Sequence, residues 1–181
     1  GTYNFYAKAF NGISSACSTA TVAYEKLYLP TITLVTPPAD GIYNNADILD
    51  FTVTFSDAVV ITGTPRIAIN AGGTTVYATA TTTALSTTHN FRYTVGGVEN
   101  DTNGILLSSP IDLNSGTIQD ALAVAADLTF TVPTATGILI DTTAPTISSV
   151  TPPSNGSFNN ADQLNFTVTF SEAVVITGSP R

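Results

Sequence analysis

Glu99, Asp101 and Asn103, followed by Gly104, are the side chains of this sequence best spaced to do chemistry. Oxygen ligands at positions one, three and five ahead of a glycine are the spacing of a calcium loop, because alternate residues turn inward around the ion. The bidentate acid that such a loop needs at its twelfth position is missing. Pro110 stands there, and Asp112 lies two residues farther on. The same stretch also reads as a polar hairpin loop turning at Asn103-Gly104. A second set of oxygens brackets a joint. Asp141 lies ahead of Asn160 and Asp162, which stand 115 residues after Asn45 and Asp47. Carboxylate and carbonyl oxygens from both sides of a joint would hold a calcium ion and fix its angle. Asp47 and Asp162 are equally suited to Asx turns ahead of a strand.

The remaining reactive side chains point away from catalysis. Asp57 and Glu172 occupy matching places after the phrase FTVTFS and read as charged turns that block edge pairing. His89 is the only histidine. Its parity sets it on the face of Phe91 and Tyr93, at the frayed and partly exposed end of a strand. A catalytic histidine needs a nucleophile or an acid beside it. The sequence has no nucleophile-elbow, HExxH, CxxC or P-loop pattern. Cys17 is the single cysteine, which excludes an internal disulfide and reads as a small buried hydrophobe. Residues 31–145 hold no lysine and no cysteine, so neither a Lys–Asn isopeptide bond nor a disulfide can staple them.

The elements that position these groups are set by a repeat. Residues 31–66 (TITLVTPPADGIYNNADILDFTVTFSDAVVITGTPR) return at 146–181, with 26 of 36 positions identical. The sequence predicts one complete module over 31–145. Residues 1–30 are expected to end a preceding module, and 146–181 to open the next. Strict alternation predicts a strand over 48–55, with Leu49, Phe51, Val53 and Phe55 on one face. The second copy keeps that face as Leu164, Phe166, Val168 and Phe170 and changes the other, as expected where one side is core and the other meets water. A hairpin is expected over 3–9 and 16–25, turning at Asn11-Gly12, and another over 66–70 and 74–80, turning at Gly72-Gly73. Further strands are expected at 31–35, 59–61, 89–95, 105–108, 110–113, 127–132 and 137–140. Asp40-Gly41 and Asn44-Asn45 read as turns, 81–88 as a polar loop, and 118–126 as a short helical turn. Short strands at this spacing, with the repeat, indicate an all-β fold of antiparallel β-sandwich modules in tandem.

Composition narrows the function classes. Hydrophobic residues make up 43% of the 181 positions, ample for a core, whereas charged residues are only 10%. The net charge is −8, and ten of the acids fall within 31–145 against Arg66 and Arg92. Such a surface repels nucleic acid, whose binding rests on phosphate neutralisation. No apolar run reaches the length of a membrane span.

The phrases VTPP, NFTVTFSEAV, PRIAI, FRYTV, IDLNSGTIQD and DTTAP resemble the bacterial Ig-like repeats of very large surface or secreted proteins, across 31–181. Tyr3, Phe5, Ala7, Ala9, Asn11, Gly12 and Ser15 resemble the last two strands of a fibronectin type III-like module. The resemblance implies an extracellular or cell-surface stalk or adhesive array, with calcium stiffening the joints between domains in some relatives. Two places depart from it. Related repeats carry an Asp-rich loop where this chain has 99–103, and an Ala-Gly-Asn turn where it has 121–126. The alternatives are a module binding a glycan or host protein through the loops 81–88 and 96–104, or a non-catalytic spacer within a secreted enzyme. Those loops hold no aromatic residue, which counts against sugar stacking. The expected partners are neighbouring repeats of the chain, with a second copy completing the half-module 146–181 by strand addition.

Overall fold

The computed structural model describes residues 3–4, 23–24 and 28–180. Tyr3–Asn4 (β1) pairs antiparallel with Ala23–Tyr24 (β2). The rest of the predicted first hairpin, with its turn and Cys17, lies outside the described residues. The strands that follow are Ile32–Thr36 (β3), Gly41–Tyr43 (β4), Ile48–Thr62 (β5), Arg66–Ala71 (β6), Thr74–Ala80 (β7), Ser86–Thr94 (β8), Leu106–Leu107 (β9), Thr117–Asp120 (β10), Ile138–Ile140 (β11), Ile147–Thr151 (β12) and Thr167–Phe170 (β13). The described chain is all-β.

β5 is the strand around which the unit forms. Its alternation of Leu49, Phe51, Val53 and Phe55 continues through Val59 and Ile61, and all six are buried. Each such side chain contributes about 1.5–3 kcal/mol on burial. β8 pairs along one edge of β5, from Ile48↔Thr94 to Thr54↔Thr88. β3 and then β10 pair with it as well, through Val35↔Val53 and Ile118↔Ile61. The register with β8 shifts between Thr54 and Val59, so the strand bends there and the sheet curls. The sheet runs on through β7 and β6 to β9. Its inner face encloses one core in which Phe51, Phe91, Ile67, Ile69, Ile138 and Ile140 are completely or almost completely buried.

Several expectations need correction. Residues 48–62 form one bent strand rather than two broken pieces, because the apolar parity survives the bend. Gly41, expected to turn with Asp40, instead opens β4, whereas the chain does turn at Asn44-Asn45. β4 pairs with β11 in parallel, the one departure from an antiparallel pattern among the described strands. Residues 118–126 are not helical. Ile118 must fill the core opposite Ile61, and the Asp120 carboxylate then closes a tight turn by accepting the amides of Leu122 and Val124, both at 2.8 Å. The stretches 110–113 and 127–132 make only single bridges, Arg66↔Asp112 and Thr31↔Asp127.

The second copy of the repeat reproduces the first in register. β3 meets β5 at Ile32↔Phe55, skips one residue, and resumes at Leu34↔Thr54. β12 meets β13 at Ile147↔Phe170, skips at the same place, and resumes at Ser149↔Thr169. Thr31 N donates to Ser56 Oγ at 3.0 Å, and Thr146 N to Ser171 Oγ at 2.9 Å. Ala46 and Ala161 share a left-handed backbone, with φ of 72° and 77°. The difference is burial. Leu49, Phe51 and Val53 are sealed, whereas Leu164, Phe166 and Val168 are exposed.

Candidate functional site

The segments that carry Asp47, Glu99, Asp101, Asn103 and Asp141 meet at one end of the unit 31–145, where β5 begins. Loop 44–47 is tied to the end of β8, with Ala46 N donating to Val95 O at 2.9 Å and Val95 N to Asp47 O at 2.8 Å. The segment 96–104 crosses the same end. So does the point where the chain leaves the unit, because Asp141 N donates to Tyr43 O at 3.0 Å.

Within this end, Glu99 and Asp101 are turned inward and buried. Asp101 Oδ1 accepts the amides of Asn103 at 3.0 Å and Gly104 at 2.7 Å, and its Oδ2 accepts the amide of Gly72 at 2.7 Å. Gly72 sits at φ 58°, and a side chain there would overlap the Asn100 carbonyl. The tip of the β6–β7 hairpin is therefore pressed onto the loop, which only glycine permits. Glu99 Oε1 accepts the Tyr93 hydroxyl at 2.7 Å, and Oε2 the amide of Val98 at 3.4 Å. Asn103, the third residue of the predicted triplet, is exposed.

The other candidates are dispersed. Asp112 pairs with Arg66 at 2.8 Å and accepts the Asn114 amide at 2.9 Å. Asp141 Oδ1 accepts the amide of Thr143 at 3.0 Å, Asp47 Oδ2 that of Asn44 at 2.7 Å, and Asp162 Oδ2 that of Asn159. These are local turn bonds. Asp57 is exposed and takes the Ser56 hydroxyl at 3.1 Å. Among the described residues, no three His, Cys, Asp or Glu side chains come together as a metal site. None of the buried side-chain polar atoms there lacks a partner. The donor set at 99–104 does not fit calcium. The ion needs lone pairs converging on one point, and those of Asp101 already face three N–H dipoles whose positive ends would repel it.

His89 is not at a frayed end. It lies within β8, opposite Val53, and is 1% exposed. Its ring stands edge-on to Phe55 with centroids 6.0 Å apart. Nδ1 lies 2.8 Å from Thr82 O, and Nε2 lies 3.1 Å from both Val59 O and Ser86 O. It fills the gap opened where β5 and β8 slip register.

Tyr93 and Asn100 take part in the loop end without having been singled out in the sequence. Tyr93 shares the inner parity of Phe91, which was a readable signal; nothing in the sequence marked Asn100. Burial, and then the bond to Glu99, push the Tyr93 phenol up to about 12. Burial pushes the Glu99 carboxyl up, but the Tyr93 hydroxyl and the amides of Glu99, Val98 and Gly96 together outweigh it, so the group is held below its ordinary value of 4.5. The Tyr93 contribution to stability is then complete below the ordinary value of 10 and is lost as pH rises through about 12. The Glu99 contribution is present above 4.5 and is lost as pH falls through the lowered folded value. The urea midpoint is expected to be flat between about pH 6 and 9 and to fall on both sides. Tyr93→Phe should make the alkaline fall shallower and Glu99→Gln the acid fall. Unchanged slopes in both variants would refute this pairing.

A cleft of about 430 Å³ runs between 103–106 and 132–136 and presents no titratable side chain. Set against protein-family models, curated proteins and solved structures, the chain matches none of them.

Proposed function

We propose that residues 31–145 are a non-catalytic, tension-bearing unit of an extracellular, cell-surface repeat protein, a stalk segment whose work is reach and stiffness. The observation that carries this reading is where the chain enters and leaves. Thr31 is bonded to Ser56, deep along β5, whereas Asp141 is bonded to Tyr43 beside the loops at the start of that strand. Ile48 and Ser56 are eight residues apart along β5, which corresponds to roughly 26 Å of strand. A chain that enters at one end and leaves at the other adds its length to an array.

The terminal strands suit the same work. β3 lies antiparallel on β5, and a pull on Thr31 draws it lengthwise, loading its bonds together. β11 lies parallel to β4 through Ile138↔Gly41, Leu139↔Ile42 and Ile140↔Tyr43. A pull on Asp141 likewise shears that pair. Single-molecule force measurements on the full chain, pulled at residues 30 and 142, should give one cooperative unfolding event at high force. Attachment at 30 and 57 peels β3 from β5 bond by bond and should need markedly less force. Equal forces in the two directions would sink the mechanical reading.

The same reading makes the exposed face of 146–181 the surface on which further strands complete a module. In the first copy β8 lies against that position. The 181 residues hold two opening segments, 31–66 and 146–181, and one completing segment, 67–145. Exchange of the completing segment between two copies uncovers one opening segment for each that it covers, so swapping gains no burial.

A further inference from the structure

We infer that Glu99, Asn100 and Asp101 form a metal-free lock that fixes the segment by which the chain leaves the unit, taking the place that an ion would hold in a calcium-stiffened joint. The inference rests on the reading of the unit as a link in an array.

Three consecutive residues hold three positions of the exit, Ile140, Thr142 and Thr143. The backbone of Asp101 exchanges both bonds with Ile140, N to O at 2.8 Å and O from N at 2.9 Å. Asn100 Oδ1 accepts the Thr142 amide at 2.9 Å and the Thr143 hydroxyl at 3.2 Å. The Thr142 hydroxyl donates to Glu99 O at 2.9 Å. Asp141 is enclosed between these bonds and its own amide bond to Tyr43. The lock is itself held from behind. The Asp101 carboxylate is anchored by the amides of Gly72, Asn103 and Gly104, and the Glu99 carboxylate by the Tyr93 hydroxyl.

The polarity of these contacts is the reverse of a cation site. An ion draws oxygens from two segments onto one positive centre. Here the carboxylates are themselves the centres, and N–H and O–H groups converge on them. Charge that calcium would neutralise is already matched by fixed dipoles. The side chain that reaches the exit, Asn100, is neutral and acts as an acceptor on Thr142 and Thr143.

The test is amide hydrogen exchange of the full chain, read at Thr142 and at a core amide such as Phe51, with millimolar calcium and with chelator. Thr142 should be protected equally in both conditions. Asn100→Ala should speed Thr142 exchange about tenfold, the worth of one such bond, with Phe51 unchanged. Asn100→Asp keeps an acceptor oxygen and should restore the protection. Faster exchange at Thr142 in chelator would overturn the inference in favour of an ion. Unchanged exchange in Asn100→Ala would overturn it in favour of a backbone-only joint. Force resistance of the whole unit does not depend on Thr142 alone, so a failed lock and a failed stalk reading give different results.

Discussion

Phe51→Ala is expected to lower the unfolding free energy of the unit by about 4 kcal/mol, and Phe166→Ala, the same change 115 residues on, by less than about 0.5 kcal/mol. The two phenylalanines occupy matching places in the repeat, within the identical phrase FTVTF. Phe51 is 0% exposed and Phe166 is 60% exposed. Phe51 faces Phe91 across β5 and β8, and its ring is enclosed by the curled sheet. Truncation there removes transfer free energy and leaves a cavity that the surrounding strands cannot close. Phe166 immediately precedes β13, which pairs only with β12 in a two-stranded ladder, and such a pair has no second layer to bury a ring. Urea unfolding read by tyrosine fluorescence measures both, with the midpoint shifting and the slope preserved if only stability changes. Comparable losses in the two variants would mean that 146–181 is covered in solution, and the completing strands would then have to come from another chain.

That contrast separates what could be read in the sequence from what could not. The apolar parity of 48–55 identified the inner face correctly in the first copy, because parity reports which side is offered for burial. It cannot report whether anything arrives to bury it, as Leu164 and Val168 show. The hairpin at Gly72-Gly73 was legible because its turn is local. The pairing of β4 with β11 was not, since it joins residues nearly 100 positions apart through two three-residue strands. The alanine-rich run after Ile118 looked helical by propensity, and the core overrode it. At the loop end the spacing of Glu99 and Asp101 was a true signal of inward-turned carboxylates. It gave no information on whether a cation or a set of amides met them. Spacing describes the acceptors, and two of the donors here come from far along the chain, Gly72 in the β6–β7 turn and Tyr93 on β8.

His89→Phe is expected to cost about 3 kcal/mol although it conserves a ring of similar size in a fully packed place. The ring nitrogens lie 2.8 Å from the carbonyl of Thr82 and 3.1 Å from those of Val59 and Ser86, beside the place where β5 and β8 shift register. A buried carbonyl without a donor retains its desolvation cost, so the loss exceeds that of any one bond. His89→Gln keeps one amide donor group on a flexible stem and should recover part of the loss. His89→Ala adds a cavity beside Phe55 and should be the least stable of the three. The order Gln, then Phe, then Ala in urea midpoint separates lost donors from lost volume. If phenylalanine equals or exceeds the wild type, the histidine is a packing residue and the bend in β5 needs another support. If the order holds, the histidine supports the bend by which a 15-residue strand serves three neighbours, β3, β8 and β10.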